Sequence, residues 1–420
     1  MRMCIIAAGN GSYRCSGVIM RILQLCNKPP YPPIDGGSKA MHNLTRGLIA
    51  QGHEVKVLCI STPKQPLELD RIPKEYRRNT RIEGVFVDTS VNVIDAFTDL
   101  LTADNYNISR FFSPDMDIRL IKLLTEEEFD IIQLESLFMT PYIPTLRRYS
   151  RARVVLRSHN LEHVIQSRIA TGERNIFKRP YRRYLAKQLE QYEMAILDRV
   201  DGVAAISPTD AQQYASHATR TPIVTIPFGI EMAEYRTDDR LMRNAPIFFH
   251  LGSMDWLPNE EGLRWLLSNV WPKVIKKMPK ARLHLAGNKM PDDLLRSEIE
   301  GVTIKGRVKN ALTYMKARQV MVVPLFSAGG MRVKIIEGMA LGKAIISTPI
   351  GAEGIGHTDG KNILIARTAT EFVDAMTGLS GDRDRMQKLG NEARKLAQTQ
   401  YANGKIVQDL VAFYKKLLKG

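Results

Sequence analysis

Phe326-Ser-Ala-Gly-Gly-Met-Arg-Val-Lys-Ile-Ile-Glu-Gly-Met-Ala-Leu-Gly-Lys-Ala-Ile-Ile-Ser-Thr348 is the stretch on which the reading of this chain turns. The apolar run Val320-Met-Val-Val-Pro-Leu325 before it has the length and composition of a buried parallel strand. Within it, Ile335, Ile336, Met339 and Ala340 recur at helical spacing, and Gly342 supplies a helix stop. The Gly329-Gly330 turn should open that helix, so its first N–H groups and the positive end of its dipole would face a ligand. Such a place favours an anion. Arg332 and Lys334 add two cations, and Glu337 lies about one turn further on. A diphosphate bearing a ribose would suit this layout, with phosphates on the N–H groups and cations and hydroxyls on the carboxylate. The alternative is a plain strand-loop-helix connection with a solvated Arg and Lys. The coincidence of Gly-Gly, two cations and a carboxylate at one helix start favours the anion site.

Length and composition set the frame. A chain of 420 residues exceeds one ordinary domain and predicts two. With 44% hydrophobic and 25% charged residues it has a globular composition, and no apolar run approaches a spanning helix. A formal net charge of +16 and a pI near 9.6 favour anionic partners. No zinc-finger spacing or nucleic-acid motif accompanies that charge, so nucleic acid is not expected. Cys4, Cys15, Cys26 and Cys59 show no paired spacing, as in a reducing cytoplasm.

The segment 326–348 resembles the donor-nucleotide motif of retaining GT-B glycosyltransferases of the large "group one" type, family four, whose usual form is E-x7-E followed by G-M-A-x-G-x-P-V-I-x-T. Glu337 matches the second glutamate, which in that family holds the nucleotide ribose. Gly329 stands where many members carry a sugar-contacting glutamate, so that role does not transfer. Ala344 replaces the usual proline.

In chain order, residues 1–19 show no pattern and are expected to be a disordered or mis-started extension that adds nothing to function. Met20-Arg-Ile-Leu-Gln-Leu25 reads as the first strand. A Pro-rich loop follows, ending in Asp35-Gly36-Gly37 and a capping Ser38, then a helix with Met41, Leu44, Leu48 and Ile49 on one face. Gly52-His53-Glu54 turns into the strand Val55–Ile60. This opening resembles the N-terminal domain of the same family, whose glycine loop lies near the donor diphosphate and the acceptor. Phe129–Glu135 and Val154–Asn160 read as buried strands, the second delivering His159 to a strand end. A lone histidine there is equally a structural residue. The match of Leu156-Arg-Ser-His-Asn-Leu-Glu162 to the family's L-R-x-H-N-x-E places it beside the donor sugar.

Arg174, Lys178, Arg179, Arg182, Arg183 and Lys187 interleave with Phe177, Tyr181 and Tyr184, with no acid among them. A solvated helix face and a helix suited to an anionic membrane or acceptor surface both fit. Ile223–Ile230 resembles the family's I-P-N-G-V passage into the second domain, with Phe228 for asparagine. That domain restarts with Ile247–Gly252 and a helix carrying Leu263, Leu266, Leu267, Val270, Trp271, Val274 and Ile275. Many relatives place an Arg and a Lys after its first strand. Here Ser253, Glu260 and Glu261 stand instead, which leaves Arg332 and Lys334 as the substitute cations. Gly306, Arg307 and Val308, at the end of Val302–Lys305, join the expected donor site.

The expectation is therefore an α/β protein of GT-B fold, two Rossmann-like doubly wound domains facing a cleft. Residues 20–225 would form the acceptor-side domain, 226–400 the nucleotide-sugar domain, and 401–420 an amphipathic helix crossing back to the first. Resemblance implies a retaining glycosyltransferase moving a sugar from a nucleotide-diphosphate donor to a glycan or lipid-linked acceptor in cell-surface polysaccharide synthesis. The alternatives are a GT-B sugar-nucleotide epimerase or a non-catalytic nucleotide- or lipid-binding module. Catalytic residues would be His159, Arg332 and Lys334, and the donor would rest on Gly36, Gly37, Gly306, Arg307, Val308, Gly329, Gly330, Met331 and Glu337. No D-x-D or His/Cys set of convincing metal spacing is identified, so no cofactor and a metal-independent reaction are expected. The expected location is cytoplasmic, with a peripheral position on the inner membrane face left open.

Overall fold

The computed structural model describes residues 18–88, 108, 111–173, 175–218, 220–236, 246–327 and 329–419. The expectation for residues 1–19 falls almost wholly outside them, as does Arg174. Contacts divide the chain into two units, Met1–Gly229 with Asn403–Gly420, and Ile230–Ala402.

The first unit is built on seven strands: β1 (Arg21–Cys26), β2 (Glu54–Ser61), β3 (Glu83–Phe86), β4 (Ile131–Glu135), β5 (Arg153–Ser158), β6 (Gly202–Ala205) and β7 (Ile223–Thr225). Their order is β3-β2-β1-β4-β5-β6-β7, every pair parallel. Apolar runs rather than alternating patterns give these strands because both sheet faces are covered. Along β1, Leu23 and Leu25 face one core while Met20, Ile22 and Cys26 face the other. The second core is closed by helix Asn403–Lys419, whose Ile406, Val407, Leu410, Val411, Phe413, Tyr414 and Leu417 are all buried. Its apolar stripe at helical spacing is the reason it packs here, each large side chain contributing about 1.5–3 kcal/mol.

The unit runs past the expected end at 225. Ile226 donates its N–H to the Ala205 carbonyl (2.8 Å), and Arg157 donates to the carbonyls of Ile226 and Pro227 (3.2 Å for the latter). The buried Arg157 guanidinium thus ties the exit segment to the sheet. At the other end, Ala402 stays with the second unit.

The second unit has β8 (Ile247–Leu251), β9 (Arg282–Ala286), β10 (Val302–Ile304), β11 (Val320–Val323), β12 (Ala344–Ser347) and β13 (Leu364–Ile365), ordered β10-β9-β8-β11-β12-β13 and parallel throughout. Residues 257–277 form one helical stretch with a π-turn at Leu266–Val270. It buries Leu263, Leu266, Leu267, Val270, Trp271 and Val274 as the spacing requires, leaving Ile275 half-buried. Gly262 is needed there, because a Cβ would overlap the Pro324 carbonyl oxygen at the end of β11. In both sheets the winding reverses once, between β1 and β4 and between β8 and β11. Open parallel sheets bind ligands outside the strand ends at such points.

Candidate functional site

The reversal point of the second unit holds the expected donor residues. Helix Val333–Ala340 begins after β11 with Arg332 as its N-cap residue. Gly329 and Gly330 therefore do not open the helix itself, as the sequence predicted; they precede it, Gly330 at φ +70°. The helix closes as expected, with Gly342 at φ +64° and the Lys343 N–H donating to the Gly338 carbonyl at 3.0 Å.

Around that helix start the polar groups are interlocked. Lys334 Nζ donates to Asn259 Oδ1 (2.8 Å), and Asn259 Nδ2 donates to the Ser253 carbonyl (2.8 Å). One buried amide thus ties the loop after β8 to the helix after β11. Arg332 is 7% exposed as a residue, and its guanidinium donates to the Gly330 carbonyl and lies 5.4 Å from the Trp256 ring centre. Met331 is buried beside it. Burial, and then the neighbouring Arg332 charge, push the Lys334 ammonium down to about 7. The same burial, with the Lys334 charge, holds the His250 imidazole near 3, although its hydrogen bond to the Val322 carbonyl (2.9 Å) favours the protonated ring. His250 is thus neutral, and the Arg332 guanidinium and the half-titrated Lys334 amine crowd one dry corner with the helix dipole behind them. An incoming polyanion would relieve this arrangement.

Glu337 is buried one turn along, its Oε1 accepting from Tyr235 Oη at 2.9 Å. The Tyr235 carbonyl is itself held by Arg394 Nη1 at 2.7 Å. Burial and then the Glu337 charge push the Tyr235 phenol up, so it stays a donor. Glu260 pairs with Arg264, and Glu261 accepts from Ser327 Oγ at 3.3 Å. Gly306, Arg307 and Val308 follow β10, on the same sheet edge but two strands from the reversal point.

In the first unit the reversal point lies at the ends of β1 and β4. His159, just past β5, sets its Nε2 2.7 Å from Glu135 Oε2. Glu135 is fully buried at the end of β4, and its other oxygen accepts from Gln24 (3.1 Å) and Gln133. Thr45 Oγ1 donates to Gln24 Oε1 (2.7 Å), and Tyr414 Oη donates to Gln133 Oε1. A carboxylate can only accept, so Nε2 carries the proton, and in the neutral tautomer that this bond selects Nδ1 is the acceptor. Gln24, Gln133, Glu135 and Arg157 share one sheet face with the C-terminal helix. These polar positions interrupt three apolar strands, a sequence signal for this network that the strand assignments passed over.

Gly36 and Gly37 begin helix Gly36–Ala50, but its cap is Asp35 rather than the expected Ser38. Asp35 Oδ1 accepts from the Ser38 N–H (2.9 Å) and Ser38 Oγ from the Asp35 N–H (3.0 Å). Lys28 Nζ grips both Asp35 oxygens at 2.7 and 2.8 Å. Burial alone would raise the Asp35 carboxyl, but Lys28 and Ser38 outweigh it and hold it below the usual range. Beyond His159, Glu162 carries a carboxyl pushed up to about 7 by burial and then by Glu193. The basic residues Lys178, Arg182, Arg183 and Lys187 are exposed on helix Lys178–Leu197, with Arg179 half-buried.

The chain does contain two D-x-D pairs, a correction to the sequence reading. Asp115-Met-Asp117 lies in the first turn of helix Pro114–Glu126, with Asp117 accepting from Thr145. Asp382-Arg-Asp384 caps helix Arg383–Gln400 through Asp382 and the Arg385 N–H. Among the described residues no group of three or more His, Cys, Asp or Glu is placed to hold a metal.

Comparison with known proteins identifies the family and the fold. A family model described as "Glycosyltransferase Family 4" matches residues 34–234, and one described as "Glycosyl transferases group 1" matches residues 245–382. An uncharacterized 44.6 kDa protein of the cps region of Klebsiella pneumoniae is 22% identical over 400 residues, spanning 93% of this chain and 98% of its own. Among solved structures, sucrose-phosphate synthase from Thermosynechococcus elongatus superposes with a TM-score of 0.72 at 16% identity, covering 95% of this chain and 99% of the other. Anabaena Alr3699/HepE, in complex with UDP and glucose, gives 0.65 at 13% identity over 94% and 99%. Matched in both halves and built on two Rossmann-like sheets, the chain belongs to the group 1, family 4 glycosyltransferases and has their GT-B fold.

Proposed function

We propose that this glycosyltransferase takes a nucleotide-diphosphate sugar as donor and transfers the sugar, with retention of anomeric configuration, to a glycan or lipid-linked acceptor in cell-surface polysaccharide assembly. The observation that carries this reading is the pairing of Arg332 and Lys334 at the start of a helix, with Glu337 one turn further on. Diphosphate oxygens would take the two cations and the helix N–H groups, and ribose hydroxyls would share Glu337 with Tyr235. The UDP bound to Alr3699/HepE and the cps-region relative support the donor class and the pathway.

As the glycosidic bond lengthens, negative charge gathers on the departing diphosphate, where Arg332 and Lys334 lower its energy. The acceptor oxygen then bonds the anomeric carbon on the face the diphosphate leaves. Its proton passes to a diphosphate oxygen, which closes the balance without an enzyme nucleophile. His159, aligned by Glu135, would receive a donor-sugar hydroxyl on Nδ1. Gly329 leaves the usual glutamate contact to the sugar unfilled.

A thermal-shift screen of UDP-, GDP- and ADP-sugars identifies the donor, and NMR of the product with an acceptor panel reads the anomer. Retained configuration, with turnover unchanged by EDTA, is expected. An inverted product overturns the retaining mechanism. Donor epimerised without acceptor points to an epimerase, and nucleotide binding without turnover to a binding module.

A further inference from the structure

The helical hairpin of Glu162–Gly172 and Lys178–Leu197 carries a surface that the proposed chemistry leaves unused. The longer helix buries Ala186, Leu189, Glu193, Ile196 and Leu197. At about 100° per residue these positions fall on one side. Phe177, Tyr181 and Tyr184 recur at i, i+4 and i+7 on the opposite side. Phe177 is 85% exposed, Tyr181 46% and Tyr184 47%, and Ile176 in the preceding turn is 72% exposed. Lys178, Arg182, Arg183 and Lys187 surround this stripe, all exposed. No acidic residue occurs between Glu173 and Glu190, and Glu173 pairs with Arg182 at 2.9 Å.

A merely solvated face needs the charges but not the outward aromatic stripe, whose exposure to water is unfavourable. A basic rim around an apolar and aromatic centre matches an anionic bilayer surface. Aromatic side chains sit at the headgroup boundary, and cations lie over the lipid charges. A second copy of this chain fits less well, because a two-fold contact through this patch would bring its cations against themselves.

We propose that the tip of this hairpin docks on an anionic membrane, with Ile176 and Phe177 entering the interface and Lys178, Arg183 and Lys187 over the headgroups. The contact is independent of the transfer reaction, and it would hold the enzyme where a lipid-linked acceptor lies.

The test is vesicle co-sedimentation of the full chain. Vesicles are phosphatidylcholine alone, or with roughly one-third phosphatidylglycerol, at about 50 and about 300 mM NaCl. Wild type should bind the anionic vesicles, ignore the neutral ones and release as salt rises. Removing two cations with Arg183→Ser and Lys187→Ser should weaken binding about 25-fold, at about fivefold per cation. Ile176→Ser with Phe177→Ser should weaken it about tenfold or more. All four positions are exposed, so unchanged melting temperatures will show that the variants fold. Absence of binding, equal binding to both vesicles, or indifference to all four substitutions overturns the proposal. So does a wild-type dimer in vesicle-free buffer that Phe177→Ser converts to monomer, or a single-stranded oligonucleotide bound with the same losses.

Discussion

Lys334 offers the sharpest test of the donor site, because its charge is conditional. Its ammonium is pushed down to about 7 by burial and then by Arg332, and its hydrogen bond goes to the neutral amide of Asn259. A bound diphosphate would hold the proton on it, so donor binding above neutrality must take a proton up. If the bound enzyme stays protonated, the apparent affinity falls about tenfold per pH unit above 7, each unit corresponding to about 1.4 kcal/mol. The fall stops when the interaction is fully lost. A hydrogen bond to a charged group is worth about 1.5–3 kcal/mol, so the total should be about 10- to 150-fold. The ligand should be a nucleotide sugar, whose diphosphate does not titrate in this range, with the parent nucleoside as control. Calorimetric titration from pH 6.5 to 9.5 in buffers of different ionisation enthalpy gives both the affinity and the proton uptake. Lys334→Gln should lower affinity at pH 6.5, flatten the profile and abolish the uptake. The nucleoside should show no slope in either protein. A flat wild-type profile, or the same slope in Lys334→Gln, would mean that this amine does not meet the phosphates.

Arg332→Ala should lower turnover by about ten- to a hundredfold, from the same hydrogen-bond magnitude realised on the leaving group; steady-state kcat unchanged by it would remove Arg332 from the mechanism. Glu337→Ala should weaken nucleoside and nucleoside diphosphate by a similar factor of about ten, with kcat little changed, because a ribose contact is made equally in ground and transition states; a loss confined to the diphosphate would contradict this. Glu135→Gln should cut kcat by about ten- to a hundredfold with donor KM nearly constant, and nitrogen NMR should show the His159 tautomer no longer fixed; a fixed tautomer in the variant would mean that something else aligns the ring. Glu162 is pushed up to about 7, so its native state keeps a proton that the unfolded chain releases near pH 4, and its contribution to stability is lost as pH rises through 7. Glu162→Gln should therefore raise Tm more at pH 8 than at pH 5, and an equal shift at both would show that the proton is not held.

The strands and the two long amphipathic helices were legible because burial on both faces of a parallel sheet writes continuous apolar runs, and a packed helix writes a 3.6-residue stripe. The apolar stripe of the C-terminal helix, Ile406, Val407, Leu410, Val411, Phe413, Tyr414 and Leu417, is buried throughout. What escaped was the chemistry of side chains whose partners are distant in sequence. Asp35 and Ser38 both cap helices well, and their reciprocal bond decides which does so here. Asn259 lies 75 residues from Lys334, and nothing local to Trp256-Leu-Pro-Asn259 announces that its amide will orient a lysine. Two D-x-D pairs are visible as a pattern, yet they serve a threonine and a helix cap.

The absence of an Arg and a Lys after β8 acquires a physical reason from this geometry. Asn259 occupies the dry corner between β8 and β11, and it is neutral. A third cation beside Arg332 and the low-pKa Lys334 would add like-charge repulsion where little water remains to screen it. Asn259 instead presents oxygen to Lys334 and nitrogen to the Ser253 carbonyl, satisfying both without adding charge. The cost of this choice is that the Lys334 hydrogen bond goes to a neutral amide, which does less than a carboxylate to hold its proton. Charge at the candidate donor site is thus supplied from the helix after β11, and its full strength depends on the ligand that calls the proton in.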